Sequence, residues 1–172
     1  MLNKNFLVCL TLLVLILPAR VFTQDAPPKP LENKVYDAML GSWTSDDKMM
    51  GMAMHQEVNV RWALNHQYII MDLTATGKDN PSIKYTGMGV FGADEKGGAK
   101  TWWFDDWGAA AMTSGLGTFS DNLLTITDGN SMFNETRTFD VKGSQLIMHA
   151  KGTMKANDKD IPFEEINTYS KK

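Results

Sequence analysis

The sequence predicts an all-β domain, a closed antiparallel up-and-down β-barrel of about ten strands with one short helix on its N-terminal side. Three observations lead there. From Gly41 almost to the C-terminus, apolar and polar residues alternate with a period of two, as in strands with one buried and one wet face. Clusters of Gly, Asp, Asn, Lys and Ser interrupt the alternation at short, even intervals, as hairpin connections do. No intervening segment has helical periodicity, so nothing supplies the crossovers that parallel strands need. A meander with one apolar face avoids open edges most simply by closing on itself; a two-sheet sandwich is the competing arrangement.

The chain has 172 residues, 43% apolar and 22% charged, with a net charge of −3. That mixture suits a single globular domain. Met1 to Thr23 has the layout of a secretory signal: Lys4 near the start, an apolar run from Phe6 to Leu17, and Pro18 ahead of a processing region. The run is shorter than the ~20 apolar residues of a spanning helix, so removal rather than anchoring is expected, and the product is secreted or periplasmic. Cys9, the single cysteine, lies in that segment, which leaves the mature domain without a disulfide, a Cys-ligated metal or a Cys nucleophile. Loss of Lys4 and Arg20 makes the net charge of −3 more negative by two, which argues against nucleic acid as a partner and against membrane insertion after cleavage.

Residues 24–30 are a Pro-rich leader, and residues 31–172 form the domain. Leu31, Val35, Ala38 and Met39 recur at helical spacing behind Pro30 and before Gly41, predicting a helix from Leu31 to Leu40. Strands are expected at Gly41 to Ser45, Met52 to Trp62, Tyr68 to Thr76, Ile83 to Phe91, Ala99 to Asp105, Ala109 to Phe119, Leu123 to Thr127, Met132 to Val141, Ser144 to Met154 and Ile161 to Tyr169. Met52 to Trp62 is the clearest: Met54, Val58, Val60 and Trp62 alternate with His55, Glu57, Asn59 and Arg61.

Helix, then Gly41-Ser42-Trp43, resembles the Gly-x-Trp opening of the lipocalin and fatty-acid-binding (calycin) superfamily. The ordered set Leu40-Gly41-Ser42-Trp43, Gly87-Met88-Gly89-Val90-Phe91, Trp102-Trp103-Phe104-Asp105, Gly115-Leu116-Gly117-Thr118-Phe119 and Arg137-Thr138-Phe139 is similar to an uncharacterised family of bacterial, often exported, lipocalin-like proteins. The resemblance implies a barrel able to enclose a small apolar molecule, with Trp43 plugging one end, and it brings no catalytic residues. A related haem-binding barrel family opens in the same way and ligates iron through a late-strand histidine, whose counterpart here would be His149.

On the strand Met132 to Val141, Phe133, Glu135, Arg137, Phe139 and Val141 share the apolar phase, so Arg137 is expected to point inward. A buried guanidinium matches a carboxylate, which suggests the head group of an acidic lipid; the alternative is an interior acid such as Glu135 or Glu165, or packing over Trp43. Trp62, Tyr85, Trp102, Phe104, Phe133, Phe139, Met148, Phe163 and Tyr169 are read as the cavity wall, with glycines at 87, 89, 115, 117 and 152 leaving room for a ligand or a bend. The hairpin Trp103 to Gly108 reads as a rim or as an ordinary turn. The run Met49 to His55 has soft donors suited to Cu(I), although alternation sets His55 opposite Met52 and Met54. No nucleophile elbow, phosphate loop or paired histidines occur, and no cofactor or metal is called for. The expected function is non-catalytic binding of a small hydrophobic molecule. An interaction domain with a filled interior, a haem-binding barrel, or an isomerase or hydrolase using Arg137, Glu135 or Asp105 are the alternatives.

Overall fold

A computed structural model describes residues 28–172 apart from 95 and 158; the expected signal segment and residues 24–27 lie outside the described residues. The elements are α1 (Lys34–Met39), β1 (Gly41–Ser45), β2 (Lys48–Met49), β3 (Met52–Ala63), β4 (Tyr68–Gly77) and β5 (Lys84–Ala93). They continue with β6 (Ala99–Asp105), β7 (Thr113–Ser120), β8 (Leu123–Gly129), β9 (Phe133–Lys142), β10 (Gln145–Ala156) and β11 (Lys159–Lys171).

Every strand from β3 to β10 pairs antiparallel with its successor, and β1 lies between the two ends of the meander. It pairs with β3 through Trp43↔Val58 and with β11 through Trp43↔Lys171, so the sheet is a closed antiparallel barrel of ten strands, and no sandwich forms. Closure leaves no long edge to template aggregation. The eleventh strand, β2, stands outside the ring as a short hairpin arm on β3, with Met49↔Met52, turned by Met50 and Gly51 at φ 51 and 77.

Several strand ends differ from the sequence reading by one or two residues, β8 among them, which runs to Gly129 rather than Thr127; the two largest departures have local reasons. The helix starts at Lys34 rather than Leu31 because Asn33 caps it, its Oδ1 accepting from the N–H groups of Val35 (3.0 Å) and Tyr36 (3.1 Å). β7 starts at Thr113 rather than Ala109. Gly108 takes φ 88 and its carbonyl accepts from Ala111 N–H at 3.0 Å, while Asn130 Nδ2 donates to the carbonyls of Ala111 and Met112, so this stretch is spent on a turn.

The two ends of the barrel differ. At the helix end, Tyr36, Met39 and Val35 enter the barrel beneath Trp43, whose Nε1 donates to the Met39 carbonyl at 2.9 Å. Tyr36 donates to the Gly92 carbonyl across the barrel and meets Trp62 and Phe119 edge to face. Above this floor Phe91 and Phe139 pack edge to face among Val60, Ile69, Leu124 and Leu146, all buried. This half is filled. Its fill stops at Arg137, one inward step beyond Phe139 on β9, and the opposite half is hollow.

Candidate functional site

The hollow half is a cavity of about 450 Å³, a volume in the range of small-molecule sites. It opens between the connections at the end away from the helix, where Met50 and Trp107 line it and are also exposed to solvent. Strand alternation builds its wall. β10 contributes Met148, Ala150 and Met154, β11 contributes Phe163, Glu165, Asn167 and Tyr169, and β9 contributes Phe133, Glu135 and Arg137. β4, β5 and β6 add Leu73, Tyr85, Trp103 and Asp105.

Of the residues expected to form the wall, Tyr85, Phe133, Glu135, Arg137, Met148, Phe163 and Tyr169 come together there. Four do not. Phe139 is fully buried in the filled half. Trp62 has the expected phase but lies at the helix end, stacked on His66 at 4.9 Å and donating from Nε1 to Asp37. Trp102 and Phe104 are on the outside: Trp102 lies beside Tyr68 and under Lys100, and Phe104 is 39% exposed. The inward residues of β6 are Ala99, Thr101, Trp103 and Asp105, one register step from the expected set. With aromatic residues at 102, 103 and 104, alternation alone could not select the phase; the flanking Ala99, against Lys100, was the available signal.

Trp103 also corrects the reading of the glycines. A Cβ on Gly87 would stand 2.5 Å from Trp103 Cζ2, and one on Gly89 would stand 2.6 Å from Phe91 Cε2 and 3.1 Å from Trp103 Cε3. The space left on β5 is occupied by the indole and by Phe91, not by a ligand. Trp103 is held there by its Nε1 donating to the Tyr85 hydroxyl (3.0 Å), which donates onward to Asp105 Oδ2 (3.2 Å). Asp105 Oδ1 accepts from the Trp107 N–H, so the hairpin that carries Trp107 is tied to the cavity wall.

Arg137 points inward as expected and is already engaged. Its Nη2 donates to Glu135 Oε1, and its guanidinium lies over the Trp103 ring, 5.0 Å from the centroid. Trp43, the other ring considered for it, is instead covered by Lys171 at 5.1 Å. Burial opposes the charge on Arg137, but Glu135 and Asp128 outweigh it and raise its pKa further. Asp128, which the sequence reading missed, is the register partner of Glu135 and 7% exposed; its Oδ2 accepts from Thr113 at 3.4 Å, while Oδ1 has no partner. Burial, reinforced by Glu135 and opposed by Arg137, pushes its carboxyl up to about 6.

One continuous row runs across four strands, with Gly115, Asp128, Glu135 and Gly152 in successive register. The two acids are thus flanked by the two residues without side chains. Deeper in, Tyr169 donates to Gln56 Oε1 at 2.6 Å, and Gln56 Nε2 donates to Asn167 Oδ1 at 2.8 Å, satisfying a buried amide. Glu165 accepts the Met50 N–H, which links the β2 arm to the cavity mouth; burial, with a further push from Glu135, raises its pKa.

The remaining candidates lie elsewhere. His149 is on the outer face, its Nε2 2.9 Å from Glu164 Oε1, so its imidazole does not reach the cavity. Met54 is buried while His55 faces out to Asp46 at 2.9 Å, so the Met49 to His55 run does not converge. Among the described residues no group of three or more His, Cys, Asp or Glu side chains is arranged to hold a metal. Also among them, no helix is long and apolar enough to cross a membrane. Comparison with known protein families and with curated proteins finds no match to the chain.

Proposed function

We propose that the protein is an exported, lipocalin-like barrel that binds a small hydrophobic molecule in its open half without changing it chemically. The observation that carries this reading is the division of the barrel into a close-packed floor and an open cavity of about 450 Å³. A domain needing only a stable core would gain by filling that space. The wall is largely apolar, and Met49, Met50, Met148 and Met154 give it side chains that adjust to ligands of different outline. Each Å² of apolar ligand surface removed from water contributes about 25 cal/mol. The layout of Met1 to Thr23 supports export.

The test is titration with Nile red, a neutral apolar dye. Saturable uptake at one site per chain is expected, and it is lost in Ala150→Trp, where an indole on the cavity wall occupies the ligand volume. An absence of uptake by the parent, or uptake that Ala150→Trp leaves unchanged, would refute the proposal.

A further inference from the structure

The charges on the cavity wall narrow the class of ligand. Asp105, Glu135, Glu164 and Glu165 line it, with Asp128 beside them; of the four lining acids, Glu164 is already paired with His149 and Lys151. Arg137 is the one cation among the described lining residues. That cation is committed to Glu135 and to the Trp103 ring. Several donors near the ligand space are likewise spent within the protein: Trp103 on Tyr85, Tyr85 on Asp105 and Tyr169 on Gln56. An acceptor is left over, since Asp128 Oδ1 is buried on the interior face of β8 with no partner. A ligand carboxylate entering here would meet a surplus of like charge. To gain Arg137 it would have to displace Glu135, leaving two buried acids uncompensated.

Resting on the carrier reading above, we infer that the ligand bears a cationic nitrogen: an amphipathic amine whose apolar body lies among Phe133, Met148, Met154 and Phe163 and whose ammonium group is held by Glu135 and Glu165. A cation neutralises the surplus without disturbing the Arg137 pair, and specificity comes from the sign of the charge rather than from buried area. Asp128 and Glu165 both hold their protons more tightly than free carboxyls do, as expected of buried acids with too few cations nearby.

The experiment compares decylamine, decanol and decanoate, matched in chain length, by calorimetric titration at about pH 8, where the amine is charged and free carboxylates are ionised. Decylamine should bind about tenfold more tightly than decanol, with decanoate weakest. Glu165→Gln, which keeps an acceptor for the Met50 N–H, should lower the ratio of decylamine to decanol affinity. Glu135→Gln should release Arg137 and shift preference towards decanoate. Decanol or decanoate binding as tightly as decylamine overturns the inference while leaving the carrier reading intact. An amine preference unchanged in both variants overturns the placement of the ammonium group, and binding of none of the three overturns carrier and inference together.

Discussion

Asp128 on β8 and Glu135 on β9 stand opposite one another in direct register, two interior carboxyl groups beside a single guanidinium, that of Arg137. One cation cannot fully compensate two buried acids, and the imbalance has consequences for stability as well as for binding.

The first concerns pH. Asp128 titrates near 3.8 when unfolded and at about 6 when folded, so between those values the native state binds the extra proton. Folding therefore becomes less favourable as pH rises through that window, and the cost is complete above about pH 6. Asn, a neutral mimic of the protonated acid, should stabilise the protein by about 1–3 kcal/mol at neutral pH, with the gain shrinking towards zero near pH 4. Urea unfolding of Asp128→Asn and the parent across that range measures the difference directly; a gain independent of pH would remove Asp128 as its source.

Arg137→Leu should destabilise the protein by about 3–5 kcal/mol, because it strands Glu135 and Asp128 in the interior without a cation. The double variant Arg137→Leu with Glu135→Leu should recover part of that loss, since it removes a stranded charge as well as its partner. Equal losses in the single and double variants by chemical denaturation would show that the pair is not energetically coupled.

Gly87→Ala places a methyl group against the Trp103 indole and should cost about 1–3 kcal/mol through overpacking. In a Trp103→Phe background, whose single ring lacks Cζ2, the indole atom nearest the added methyl, the same substitution should cost less. Additive thermal shifts would place the strain elsewhere.

Tyr36→Ala, at the barrel floor, should cost about 3–5 kcal/mol by opening a cavity beneath Trp62 and Phe119. Dye uptake at low temperature should remain, because the ligand space lies beyond Arg137 at the other end. Loss of uptake in a variant that is still folded by circular dichroism would mean that the floor and the cavity are not independent.

Alternation made most of the barrel legible. On β9 the pattern Phe133, Glu135, Arg137, Phe139 against Asn134, Thr136 and Thr138 identified the interior face and placed Arg137 on it. On β3 it separated Val58 and Val60 from His55 and Glu57. The short connections implied antiparallel neighbours, and a ring follows from an apolar face that needs covering. Gln56 and Asn167 escaped notice because each is a polar residue on an otherwise apolar phase, to which local pattern gives no partner, and Asp128 because Asp128-Gly129-Asn130 reads as a turn, whereas β8 runs on through it to Gly129.

Sequence periodicity therefore carried the strand order, the closure and most inward faces, because these depend on neighbours two residues apart or one hairpin away. Folding in three dimensions settled which of the stacked aromatics on β6 turns inward, whose atoms fill the space beside Gly87 and Gly89, where the packed floor ends, and that Arg137 is paired before any ligand arrives. Those outcomes depend on contacts between side chains from strands far apart along the chain and on the volume they leave unfilled. Neither quantity is written in a period of two.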